Sequence, residues 1–299
     1  MRSSWIIGAA FLAASATLSH AAEPDLAYGA YQRGLYQTAF REANLRLEKN
    51  ANDAAAMTLL GELYNQGLGV AMDPKKASEW YRLAAGRGDA NALASLGLMA
   101  LDGRGMPKNP AQGRTWLEQA AAKGNALASH NLALLLLTSG NDEDLKKAVE
   151  LLRKASAAEI PDAQHALGVL YLKGRGVERN STEAARLFER AASNGSSVGE
   201  VEYAILLFNG DGVPASESQA ARYFRRAAAK GNAIAQNRLA RLLVAGRGVP
   251  ANKVDGAAWH ILAAAQGLAD PWLDQAFKDL SAEDRKRAEK LAAERLGMR

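Results

Sequence analysis

The chain has 299 residues with 63 alanines, 27 glycines, 8 prolines and no cysteine, which excludes disulfide frameworks, thiolate metal sites and cysteine nucleophiles. Alanine, the best helix former, makes up about a fifth of the chain, and aromatic and β-branched residues are scarce, so an all-β protein is excluded. Charged residues at 23% and apolar ones at 48% exclude wholesale disorder, and a net charge of +5 implies no nucleic acid partner without a concentrated patch.

In chain order, Arg2 and the uncharged apolar stretch Trp5 to Leu18 lead to Ser19-His20-Ala21. That order of positive start, apolar core and small residues is a secretory signal, predicted over residues 1–21 with cleavage before Ala22. Fourteen apolar residues are too few for a bilayer span of roughly twenty. The cleaved product is expected to be periplasmic or secreted, with no integral membrane segment. Losing Arg2 takes its charge to +4.

Residues 22–52 predict a capping hairpin with Gly34-Leu35-Tyr36 at its turn. Beyond it a 36-residue period organises the chain, in segments 53–88, 89–124, 125–159, 160–195, 196–231 and 232–267. A small residue recurs at Gly61, Gly97, Ala133, Gly168, Ala204 and Ala240, in steps of 36, 36, 35, 36 and 36. Glycine pairs follow at 67/69, 103/105, 174/176, 210/212 and 246/248, and a closing glycine at 88, 124, 195, 231 and 267, replaced by Glu159 in the third segment. Each segment reads as two amphipathic helices, the first stopping at G-x-G, where glycine tolerates positive φ. One such pair cannot bury its own apolar face, so repeats must stack. The fold class predicted is all-α: an α/α solenoid, a right-handed superhelix of about six helix-turn-helix repeats with caps at both ends. The C-terminal cap, 268–299, ends in a helix opened by Ser281-Ala282-Glu283-Asp284 with a stripe of Ala288, Leu291, Ala292 and Leu296. The third repeat departs from the pattern, with Thr138-Ser139-Gly140-Asn141 in place of G-x-G and an acidic run Asp142-Glu143-Asp144. That predicts a local change of geometry or a distinctive surface loop.

L-G-E-L-Y-N-Q-G-L-G-V at Leu60–Val70, followed by K-A-S-E-W-Y-R-L-A-A at Lys76–Ala85, resembles the Sel-one-like repeat family, a tetratricopeptide-like class of solenoids. The resemblance covers residues 53–267. It implies an adaptor or scaffold rather than an enzyme, and for exported bacterial members a role in envelope processes such as exopolysaccharide signalling. Cysteine-rich members have been linked to β-lactam binding; this chain has neither cysteines nor an S-x-x-K motif, so that activity does not carry over.

Signals for chemistry are few. Gly195-Ser196-Ser197-Val198-Gly199 matches G-x-S-x-G, but a nucleophile elbow needs a strand-to-helix turn, and this segment joins two helices. No phosphate-binding loop is present and no cofactor or metal is expected. His130 and His165 hold the same position in adjacent repeats; the readings that stand are a pair that repels on protonation and senses acidity, a pair that holds a metal with further ligands, or two half-buried packing residues, of which packing is favoured. His260 beside Trp259 reads as structural.

Two surface features bear on binding. By analogy with tetratricopeptide grooves, Leu98, Leu101, Leu134, Leu137, Val169, Leu172, Ile205 and Phe208 form an inner apolar stripe, polar in the first repeat at Glu62 and Asn65. It is either a groove for a partner's peptide or helix, or core buried by curvature. From Ser218 to Val254 the chain has eight basic residues and no acid. Seven of them, Arg222, Arg225, Arg226, Lys230, Arg238, Arg241 and Arg247, form a candidate basic patch that would steer an anionic partner. The expectation is an exported, non-enzymatic adaptor for another envelope protein. The alternative is a binding module for anionic polysaccharide or peptidoglycan.

Overall fold

The computed structural model describes residues 25–138 and 140–297; the signal segment lies outside them. All regular elements among the described residues are helices. The chain divides into two compact units, Met1–Ala155 and Ser156–Arg299, and the division falls in the last turn of the eighth helix.

In the first unit the hairpin α1 (Leu26–Gln32) and α2 (Tyr36–Lys49) precedes three helix pairs. These are α3 (Ala54–Gln66) with α4 (Pro74–Gly86), α5 (Ala90–Asp102) with α6 (Pro110–Ala122), and α7 (Ala126–Leu137) with α8 (Asp142–Ala157). The second unit holds α9 (Pro161–Lys173) with α10 (Ser181–Ser193), α11 (Ser197–Asn209) with α12 (Glu217–Ala229), and α13 (Ala233–Ala245) with α14 (Lys253–Ala265). It ends in the cap helices α15 (Pro271–Ala276) and α16 (Ala282–Gly297). The fold class is therefore the all-α, α/α solenoid of helix-turn-helix repeats.

Each repeat starts and stops its helices by the same local chemistry. Asp53, Asp89, Asn125, Ser196 and Asn232 cap the first helices, each side chain accepting from the backbone N–H three residues on, which satisfies a donor the helix leaves open. Ile160 is the exception and has no side-chain cap bond; Pro161 follows it, removing one N–H that would need a partner. Ser196, second residue of the G-x-S-x-G match, is thus an N-cap between α10 and α11, its Oγ 3.1 Å from the Gly199 amide.

The two glycines of a pair have different jobs. Gly246 ends α13 in the left-handed region at φ 66°, where a Cβ is disfavoured. Gly248 also has positive φ, 68°, and its face lies against backbone of Glu217 and Ser218 at the start of α12, in the preceding repeat. Gly105 against Pro74 and Gly212 against Ser181 repeat that inter-repeat contact. The mid-helix glycines serve packing inside a repeat: Gly61 lies under the Tyr81 ring, Gly97 under Leu117 and Gly168 under Phe188, all three large side chains being buried.

Glu159 is the one non-glycine residue at positive φ among the described residues, at 59°. Its carboxylate takes hydrogen bonds from Asn194 and Gln164, both 2.7 Å, and from Arg190. These bonds hold its carboxyl below the usual carboxylate range, that from Asn194 most, and tie the exceptional turn to the next repeat. The third repeat differs in its second helix as well: α8 runs 16 residues where α4, α6, α10, α12 and α14 each run 13.

At the C-terminus Ser281 and Asp284 form a reciprocal cap, 3.0 Å each way. Ala288 and Ala292 are buried, Leu291 half-buried, and Leu296 is 56% exposed, so the expected stripe ends before Leu296. Gly248→Ala should destabilise the second unit by about 2 kcal/mol or more, since it adds overpacking to left-handed strain. Gly267→Ala, with open space around it, should cost about 1 kcal/mol. Chemical denaturation of both variants checks the order, and equal losses would contradict the close approach at Gly248.

Candidate partner-binding cleft

Within the second unit a cleft of about 390 Å³ lies where α11, α13 and α15 meet. Ile205 and Phe208 reach it from α11, three residues apart and so on one helix face. Arg238, Arg241, Leu242 and Ala245 reach it from α13 at the i, i+3, i+4, i+7 spacing of a single stripe. Arg247 and Trp272 complete the rim.

Its charges are mostly committed. Arg241 makes a two-pronged pair with Asp270, Nε to Oδ2 2.6 Å and Nη2 to Oδ1 2.8 Å, a geometry that suits guanidinium to carboxylate. Asn237 donates to the same Oδ2 at 2.7 Å. Asp270 also caps α15 through the amides of Trp272 and Leu273 and is only 4% exposed. Burial works against its ionisation, but the bonds from Arg241 and Asn237 outweigh it and hold the carboxyl at about 2. The Arg241 guanidinium lies 5.2 Å from the centre of the Trp272 ring, and that of Arg247 lies 4.2 Å from that of Phe208, both within cation–π range. Arg247 is paired with Glu217. Arg238 is exposed and has no ion pair or hydrogen bond among the described residues.

The basic patch separates into two sets. Arg226 and Lys230 converge on Glu200, at 2.8 and 3.0 Å, a carboxylate fully buried in α11. Arg222 and Arg225 are exposed on α12 and outside the cleft lining. Four of the seven basic residues, Arg226, Lys230, Arg241 and Arg247, are therefore paired with three acids, Glu200, Asp270 and Glu217, that lie outside the acid-free span, which reduces the charge of the patch from +7 to +4.

The apolar stripe also divides. Leu98 and Leu101 are buried in the first unit, Leu101 against Gly113, so these two belong to the core. Leu134 and Leu137 are half-buried in the same unit. Val169, Leu172, Ile205 and Phe208 are half-buried in the second unit and pack on its core, and of these Ile205 and Phe208 line the cleft. Glu62 and Asn65 are buried, with Tyr81 donating its phenolic hydrogen to Glu62 across 2.6 Å.

His130 is buried in the first unit. His165 is half-buried in the second, its ring 5.7 Å from that of Phe188; burial pushes its pKa down, partly offset by Asp162. Among the described residues no three His, Cys, Asp or Glu side chains come together as a metal site. His260 contacts Asp274 at 2.8 Å and ties α14 to α15.

Of the cleft lining, Asn209, Phe224, Leu242, Ala245 and Trp272 escape a sequence reading, as does Asp270, which pairs with Arg241 from outside that lining. The signal for Asp270 is present: Asp270-Pro271 has the form of an N-cap followed by proline at the first helical position. Nothing in the sequence marks it as the partner of Arg241, 29 residues away.

The repeats, their glycine spacing and this fold have clear relatives. The sequence profile of the Sel1 repeat matches residues 54–89, 90–125, 126–159, 161–196, 197–232 and 233–268, in register with the 36-residue period to within a residue. Among solved structures, the chain is similar to a Sel1 repeat protein from Oxalobacter formigenes, at 26% identity and a TM-score of 0.72, over 80% of this chain and 98% of that one. It is also similar to a protective antigen of uropathogenic Escherichia coli displaying an SLR fold, at 26% identity and a TM-score of 0.56, over 88% of this chain. It spans 64% of that protein's length. None of the curated proteins compared matches the chain. The chain belongs to the Sel1-repeat family, whose repeats are a non-catalytic scaffold for protein–protein interaction.

Asp270→Asn should destabilise the second unit by about 1–3 kcal/mol near neutral pH, because it weakens the bonds that compensate a buried group. The native Asp270 carboxyl ionises well below its unfolded value of 3.8, so its contribution is complete above that value and is lost as pH falls toward about 2. The gap in Tm between wild type and Asp270→Asn should therefore close between about pH 4 and pH 2; a gap of constant size would contradict the pairing.

Proposed function

We propose that this protein is an exported, non-enzymatic adaptor that binds a segment of another envelope protein in the cleft of its second unit. The observation that carries the reading is the cleft itself. It joins the half-buried apolar side chains Ile205 and Phe208 to an unpaired arginine, Arg238, on a frame of packed helices. Interfaces combine an apolar centre with a few placed polar groups in this way. Export rests on the signal pattern of residues 1–21, and the envelope setting, including exopolysaccharide signalling, on the family resemblance. Among the described residues no helix is long and apolar enough to cross a membrane.

The polysaccharide alternative draws on the same basic span, and it is weakened by the four residues already paired. A capture experiment from the envelope fraction of the source organism separates the two, using tagged residues 22–299. Ala245→Phe fills the cleft from an exposed position without opening the core, and Arg222→Glu with Arg225→Glu changes charge elsewhere. The expected result is a protein partner captured by wild type and by the charge variant, and reduced at least tenfold by Ala245→Phe, with all three chains equally helical by circular dichroism. Undiminished capture by Ala245→Phe would remove the cleft from the mechanism. Capture of acidic polysaccharide alone, lost with the charge variant and at raised salt, would replace the adaptor reading.

A further inference from the structure

We infer that the segment received by this cleft presents a carboxylate beside an apolar side chain, and that Arg238 is the residue that reads the carboxylate. The inference rests on the cleft being the partner site and adds the chemistry of its occupant.

Three guanidinium groups line the cleft, and they are in different states. The fork of Arg241 is closed by Asp270, and Arg247 is paired with Glu217. Each lies over an aromatic ring, Trp272 and Phe208, so these two act as fixed walls rather than as free donors. Arg238 sits one turn before Arg241 on α13 with its donors uncommitted. Three positive groups against two carboxylates leave one net positive charge at a rim whose other residues are apolar except Asn209.

An occupant decides what becomes of that charge. A neutral apolar segment would remove water from Arg238 and offer it nothing, and an uncompensated charge is costly to desolvate. A carboxylate would accept its two parallel N–H donors, the strongest polar contact the site can make. The apolar part of the lining, Ile205, Phe208 and Leu242 among it, asks for an apolar group next to that acid. The volume, about 390 Å³, stands at the small end of ligand-sized sites, roughly 300–1,000 Å³. That suits a short acidic-apolar stretch of polypeptide. A uronic acid chain supplies the carboxylate without the apolar neighbour.

Two blocked peptides test this against residues 22–299 by isothermal titration at low salt: acetyl-Gly-Phe-Asp-Leu-Gly-amide and the same peptide with Asn for Asp. The acidic peptide is expected to bind at least tenfold more tightly. Arg238→Gln should bring it to the level of the Asn peptide and leave the latter unchanged, while Arg222→Gln alters neither. Equal affinity of the two peptides, both abolished by Ala245→Phe, would overturn the acid recognition and leave the cleft as the partner site. No binding of either peptide by wild type, or binding indifferent to Ala245→Phe, would overturn both. An oligogalacturonate that binds more tightly than the acidic peptide and depends on Arg238 would overturn the polypeptide occupant.

Discussion

The fold depends on backbone-to-backbone contact between successive repeats at the second glycine of three pairs, Gly105, Gly212 and Gly248. Where Gly105, Gly212 and Gly248 stand, the first turn of a helix in the preceding repeat comes so close that a Cβ would meet its carbonyl or carbon. A helix pair alone exposes an apolar face, and only stacking removes that face from water. The glycine sets how near the repeats can come. The mid-helix small residue does the same between the two helices of one repeat, giving Tyr81, Leu117 and Phe188 a place to lie. Alanine-rich helices follow from this spacing, because larger side chains at the crossings would push the layers apart.

The third repeat shows what happens when the device is missing. It has no glycine pair, its second helix is longer, and its closing position is Glu159 in a backbone region that favours glycine. The cost of that conformation, about 1–2 kcal/mol, is set against a carboxylate bonded to Arg190, Asn194 and Gln164. One side chain thereby replaces local conformational freedom with longer-range bonds. The division between the two compact units falls a few residues before it.

Electrostatics in the second unit follows a related logic. Glu200 and Asp270 are buried acids that meet arginine or lysine from neighbouring helices, where an unpaired carboxylate could not be tolerated. Three of the eight basic residues from Ser218 to Val254, Arg226, Lys230 and Arg241, are the other half of these pairs, and Arg247 pairs with Glu217. What remains without an ion pair among the described residues is Arg222, Arg225, Arg238 and Lys253, and of these only Arg238 borders the cleft.

Much of this protein was legible in its sequence because the relevant forces are local and periodic. Helix starts at Asp53, Asp89 and Asn232 and stops at Gly67 and Gly246 follow from residues within a turn or two of one another, and the 36-residue repeat and the family follow from the regular recurrence of those signals along the chain. Burial and pairing were another matter. Leu98 and Ile205 hold the same place in their repeats, yet the first is buried core and the second lines a cleft. Arg238 and Arg241 are three residues apart on one helix, yet one is free and the other is locked to Asp270. Spacing along the chain determined which residues share a helix face. Only the tertiary structure decided which of them meet water, a carboxylate or a neighbouring repeat, because burial and charge compensation depend on groups brought together from roughly thirty residues away.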